Sequence, residues 1–183
     1  PPACGHEGFP MRLSLRRHGR NALLMSVILS AWCAPLTADW PEFRGGAAQG
    51  VAPGRGLPLN WGEADHVAWR VPTEGLGWSS PAVVGDRIYL TAAVPRGELD
   101  QELTAECRHV SDGSLIWRKL IRLQSGKVEM HGKNSHASPS PLVADGDVYV
   151  HYGPHLTACL NAETGEVRWE TQLEYRPQHG TGG

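Results

Sequence analysis

The chain has 183 residues, 40% of them hydrophobic and 20% charged, with a formal net charge of −2. Those proportions exclude a disordered chain and an integral membrane protein, and leave room for one domain with a real core. Gly 22, Pro 14 and Trp 7 against Phe 2 suit many short strands joined by tight turns, with tryptophan as the main large core residue.

In chain order, residues 1–10 (PPACGHEGFP) carry neither a leader nor a fold pattern and are set aside as a non-structural upstream segment. Residues 11–38 read as a signal peptide. Arg12, Arg16, Arg17 and Arg20 precede the apolar run Ala22–Ala34, and Leu36-Thr37-Ala38 supplies the cleavage site. The run is too short to cross a bilayer comfortably, so no transmembrane span is expected once the signal is removed. Cys33 follows the bulky Trp32, which argues against a lipobox. Arg16-Arg17 lacks the flanks of a twin-arginine signal. The expected destination is the periplasm, the cell envelope or the exterior. Without residues 1–38, thirteen Lys and Arg face eighteen Asp and Glu with no basic cluster, which argues against nucleic-acid binding.

The remainder, 39–183, contains a repeat. ECRHVSDGSLIW (Glu106–Trp117) and ACLNAETGEVRW (Ala158–Trp169) place Cys107 with Cys159, Gly113 with Gly165 and Trp117 with Trp169, without a gap. Upstream of each copy, Ser80-Pro81 and Tyr89 match Ser140-Pro141 and Tyr149. The first copy is longer by about eight residues, expected in a loop at Pro95–Glu102. Each unit reads as four strands. The first is a short apolar run, PAVV or PLVA, of the kind buried on both faces. Gly85-Asp86 and Asp145-Gly146 then mark hairpin turns. The third strand carries the cysteine, and the fourth, after the glycine turn, carries the tryptophan.

Tandem four-stranded antiparallel units of about this size are the mark of a β-propeller. The expected fold is all-β, with one blade near 79–123, a second near 138–175 and a lone outer strand near 66–72. That strand carries Trp69 and would close the ring. An eight-bladed or similar ring is expected, of which this chain would be an N-terminal fragment; the blade number is not legible. Tryptophan, glycine and the small residue are expected to form a wedge between blades, with their spacing set across a single hairpin. Cys107 and Cys159, at equivalent places, are expected to stay buried and unpaired.

With those residues in view, the chain resembles the PQQ-type (pyrroloquinoline-quinone-like) β-propeller repeat proteins of bacteria, including BamB-like members. That repeat runs Ala-x-Asp-x-x-Thr-Gly-Lys-x-x-Trp. Here Cys159, Asn161, Thr164, Gly165, Glu166 and Trp169 hold the six named places, and Cys107, His109, Asp112, Gly113, Ser114 and Trp117 hold them in the earlier copy. DWPEFRG (Asp39–Gly45), GWSSPAVVGDRIYLT and KNSHASPSPLV are similar to exported PQQ-like proteins of planctomycete-type bacteria. The resemblance implies one of two roles. Quinoprotein dehydrogenases oxidise alcohols or sugars with the quinone and Ca²⁺ at the ring centre, using an adjacent cysteine pair and an Asp base. Other members bind proteins. This chain shows no Cys-Cys pair and no oxygen-ligand cluster. The expected role is therefore a non-catalytic exported binding or scaffold propeller, with no cofactor evident and no catalytic residue assigned. The alternatives are a PQQ-dependent oxidoreductase and a sensory propeller attached to a signalling domain.

No metal site is expected: His131 with His136 and His151 with His155 lack a rigid third ligand. A ligand, protein or small molecule, is expected on the propeller face where the first strands begin. Trp78, Asn134, His136 and His179 precede successive inner strands, and ring closure would bring them together.

Overall fold

The computed structural model describes residues 39–52, 56–154 and 156–174, all within one compact unit spanning 36–183. Eight strands form two four-stranded antiparallel sheets, each in simple meander order. The first holds β1 (Ala82–Val84), β2 (Arg87–Arg96), β3 (Asp100–His109) and β4 (Leu115–Gln124). The second holds β5 (Leu142–Ala144), β6 (Asp147–His151), β7 (Thr157–Asn161) and β8 (Val167–Thr171). Outside the strands the only helical turn among the described residues is Gly46–Ala48.

The turns follow their sequence signals. Asp145 and Gly146 both have positive φ (52° and 81°), as a type I′ hairpin requires, and Gly85 takes φ 60° at the first place of its own two-residue turn. Asn161 organises the β7–β8 turn: its Oδ1 accepts the amides of Glu163 (2.9 Å) and Thr164 (2.8 Å). In the first sheet that position is His109, and Asp112 Oδ1 takes over by accepting the Ser114 amide at 2.8 Å.

Strand pairing explains half of the repeated spacing. Tyr89 pairs with Cys107 and Cys107 with Trp117; Tyr149 pairs with Cys159 and Cys159 with Trp169. Each cysteine is thus the small middle member of a row across three strands. The flanking rings approach over it, with centroids 6.1 Å apart for Tyr89–Trp117 and 6.2 Å for Tyr149–Trp169. Both thiols are buried and unpaired. Burial pushes the Cys107 thiol up to about 11 and the Tyr89 hydroxyl up to about 12.

The glycines explain the other half, and here the single-hairpin expectation needs correction. Gly113 and Gly165 do not seat the tryptophan of their own hairpin; each seats the tryptophan of the preceding unit. Trp117 lies on Gly165 and donates Nε1–H to Ala162 O at 3.2 Å. Trp69 repeats the arrangement one unit earlier, lying on Gly113 and donating to Val110 O at 2.8 Å. Residues 66–72, expected as a strand, join no ladder among the described residues; the segment is held through that indole. Trp169, next in the series, is 44% exposed where Trp117 is 8% exposed.

The extra residues of the first copy do not form a loop. Pro95, Arg96 and Asp100–Glu102 continue β2 and β3, and only Gly97–Leu99 turns between them. The three long strands of the first sheet run ten residues each, against five in the second. β4 keeps pace by a register shift opposite Leu103/Thr104.

The opposite face of the first sheet carries a buried charge network on its outer strands, beside the apolar Ile88 and Leu90 of β2. Glu106, 4% exposed, accepts from Arg108 Nε (2.8 Å) and Arg118 Nη2 (2.6 Å). Arg118 also pairs with Glu74 at 2.9 Å, and Arg108 donates to Gly113 O and Pro72 O. The network fixes residues 72–74 on the sheet that Trp69 docks against.

Candidate ligand-binding face

The inner strands β1 and β5 are three residues long, and the N-terminal segment Asp39–Pro41 is bonded to both. Trp40 exchanges two backbone hydrogen bonds with Val83 (2.7 and 2.8 Å), and Pro41 O accepts the Val143 amide at 2.8 Å. Asp39 Oδ1 accepts the Gly85 amide at 2.9 Å. The chain then reverses through Arg44 and Gly45, both at positive φ. Gly45 is needed there because a Cβ would come within 2.6 Å of the Trp40 ring. The reversal presents Phe43 outward, 60% exposed.

Two lead-in segments meet Phe43. Residues 75–80 are pinned by Leu76 bridging Ala93, and by Trp78, whose amide donates to Ala137 O at 3.2 Å. The Ser80 amide donates to Ser140 Oγ at 2.9 Å, so the two repeat-related serines join the two units. Residues 134–140 are shaped by serine turns: Ser138 Oγ accepts the Ser135 amide (3.0 Å) and donates to Ser135 O (2.9 Å). Phe43, Trp78, Ser80, Ser138, Pro139 and Ser140 line a cleft of about 320 Å³. Trp78 is 66% exposed.

Of the four residues singled out from sequence, Trp78 lines this cleft. Asn134 sits half-buried in the preceding turn and His136 is buried; neither lines it. Burial holds the His136 imidazole below its ordinary pKa. His179 lies outside the described residues, as does His155. Sequence reasoning missed Phe43, whose signal was the Gly45 turn that fixes it, and the paired serines ahead of Pro81 and Pro141.

A larger gap, about 680 Å³, lies at the turn end of the two sheets and is lined by charged groups including Asp86, Arg87, Asp145, Glu163 and Arg168. Its cations are already committed. Arg87 donates to Glu163 O at 3.1 Å, and Arg168 pairs with Asp147 at 2.6 Å. Among the described residues no group of three or more His, Cys, Asp or Glu side chains is placed to hold a metal ion. The calcium implied by the dehydrogenase resemblance thus finds no such side-chain cluster among the described residues.

Two meander sheets, linked by a tryptophan from one seated on a glycine of the next, define part of a PQQ-like β-propeller. The chain belongs to the family described as outer membrane protein assembly factor BamB, whose model matches residues 51–181.

Among solved structures, the quinohemoprotein alcohol dehydrogenase ADHIIG from Pseudomonas putida HK5 is similar, at 18% identity and TM-score 0.52. The match covers 76% of this chain and 19% of that one. BamB from Moraxella catarrhalis matches at 15% identity and TM-score 0.39, over 58% of this chain and 27% of that one. A europium-containing methanol dehydrogenase matches at 16% identity and TM-score 0.35, over 50% and 15%. The chain thus spans well under a third of each solved chain. A comparison with curated protein sequences found no match.

Proposed function

We propose that this chain is part of an exported, non-catalytic propeller of the cell envelope that binds a partner on the face where its inner strands begin. The observation that carries this reading is the cleft between Phe43 and Trp78. Three separate segments build it, and their backbones are bonded to one another or to the inner strands. Exposed aromatic rings held on such a scaffold are the usual anchors of a binding surface. Asn134 and His136 shape the turn beside the serines on this reading, and Trp78 makes the contact. Membership of the assembly-factor family supports an envelope location, and no helix of the described residues is long and apolar enough to cross a membrane.

The test is cross-linking in intact cells followed by mass spectrometry, comparing the full-length protein with its Trp78→Ala and Phe43→Ala variants. Partners cross-linked to residues 43–45, 78–80 or 138–140 should disappear in both variants while the thermal midpoint stays put. An unchanged cross-link map in both variants would count against the face.

A further inference from the structure

Resting on the export half of that reading, we infer that cutting the chain after Ala38 frees a group the fold uses: the α-ammonium of Asp39, as counter-ion to the acidic gap at the turn end of the two sheets. The motif Leu36-Thr37-Ala38 ends where the segment Asp39–Pro41, bonded to both inner strands, begins. Sequence and structure thus put the boundary at the same bond.

Carboxylates outnumber cations in the gap. Asp39, Asp86, Asp145 and Glu163 line it against Arg87 and Arg168. Arg168 is held at 2.6 Å by Asp147, which lies outside the lining. Arg87 is bonded to the carbonyls of Ala162 and Glu163 and stands 3.7 Å from Asp86, as does His109. Among the described residues the side chains of Asp145 and Glu163 form no ion pair. Like charges gathered in one gap repel.

The backbone places a nitrogen among them. Trp40 N and O both face β1, where they meet Val83, whereas Pro41 O faces β5, where it accepts the Val143 amide. Backbone groups of an extended segment alternate in direction, so Asp39 N faces β5 as Pro41 O does. Both inner strands run into turns that line the gap, so the segment, antiparallel to β1, is antiparallel to β5 as well. Two residues back from Pro41 correspond to two residues on from Val143, which sets that nitrogen level with Asp145. The Asp39 carboxylate fixes the residue there by accepting the Gly85 amide at 2.9 Å. Among the described residues nothing accepts a hydrogen bond from the Asp39 nitrogen.

Hydrolysis of the Ala38–Asp39 bond by a signal peptidase consumes one water, breaks the C–N bond and leaves a carboxylate on Ala38 and an amine on Asp39. With an ordinary pKa of about 7.7–8.0 that amine is protonated at neutral pH. The uncut chain carries a neutral amide at the same point, so processing supplies the gap with the cation it lacks.

The test uses the full-length protein purified from the envelope of an exporting bacterium. Intact mass and N-terminal sequencing should give Asp39 as the first residue. The α-amine is then labelled with ¹³C-methyl groups and titrated by NMR. Its pKa in the folded protein should lie about half a unit or more above its value in the urea-unfolded chain, as for a partly exposed ion pair. The rise should vanish in an Asp145→Asn, Glu163→Gln double variant; both side chains are exposed, and Asn accepts the φ of 52° at position 145. A form extended by Gly-Ser-Gly-Ser ahead of Asp39 should melt lower than the mature form at pH 7. A raised folded pKa gives stability that is full below about pH 7.7 and lost as pH rises through the folded value, so the two forms should converge in alkali.

A mature N-terminus other than Asp39 overturns the inference, and if residues 11–38 remain attached the export reading falls with it. An N-terminal Asp39 whose pKa is not raised, or stays raised in the double variant, overturns the counter-ion and leaves export standing.

Discussion

The ring of Trp117 lies so close to Gly165 that a Cβ on that residue would come within 2.7 Å of Cδ2 and 2.8 Å of Cε3. The glycine also has φ +70°, where an L side chain is strained in its own right. Position 165 is therefore closed to other residues twice over, once by its neighbour and once by its backbone.

Gly165→Ala should cost about 2–5 kcal/mol, combining about 1–2 from the left-handed backbone with about 1–3 from overpacking. Gly85→Ala serves as the comparison. It has φ +60° with open space around it, so it should lose only the backbone part, about 1–2 kcal/mol. Urea midpoints at unchanged slope measure the difference. Equal losses at the two positions would mean that the tryptophan seat contributes nothing.

Trp117→Ala should cost about 3–5 kcal/mol, in the range for large-to-small aromatic changes in a core. Trp169→Ala in the same chain should cost far less, about 1 kcal/mol, because its ring is 44% exposed and rests mainly on Tyr149. In a chain that supplies a further unit, the Trp169 value should climb towards that of Trp117. Chemical denaturation of both variants in both chains decides this, and parity in the shorter chain would count against serial docking.

Glu106→Ala should be among the most damaging charge removals, about 3–5 kcal/mol, because it strands Arg108 and Arg118 beside a buried site. Glu102, half-buried and paired with the exposed Arg96, provides the contrast; Glu102→Ala should lower stability by no more than about 1 kcal/mol. A Glu106 variant as stable as the parent would show that the network is dispensable.

Acidification should destabilise the fold through two imidazoles. Burial holds His136 and His151 below their ordinary pKa. The unfolded chain then takes up protons at about pH 6.5 while the folded chain does not, so stability is full above that pH. It is lost as pH falls through the depressed folded values. The thermal midpoint should drop between pH 7.5 and 5.5, and the drop should shrink in a His136→Gln, His151→Gln double variant. The same drop in parent and variant would assign the acid sensitivity elsewhere.

The two-unit pattern was readable because turn residues and strand alternation agree with the final pairing at every step. Gly85-Asp86 and Asp145-Gly146 sit at the hairpins they signal, and the cysteine-to-tryptophan spacing is a direct cross-strand pair. The partner of each tryptophan was not readable, since a spacing within a hairpin carries no information about which neighbouring hairpin it meets. Pro95–Glu102 reads as a loop because proline, glycine and four charges mask its strand character. Its extension is stabilised by β4, whose residues Leu120–Gln124 lie far along the chain. At the candidate face Trp78 was legible as a large ring ahead of an inner strand. His136 was not, because serine hydroxyls bonding the adjacent backbone turn the imidazole inward.

The bond from the Val143 amide to Pro41 O sets a direction in time. Pro41 is made long before Val143, so the inner edge of the second sheet cannot receive its partner until the whole first unit and the first strand of the second have left the ribosome. Contacts of such wide sequence separation form late and slow folding. The first-made part of the described chain is thus a pin set in two stages, on Val83 of the first sheet and later on Val143 of the second.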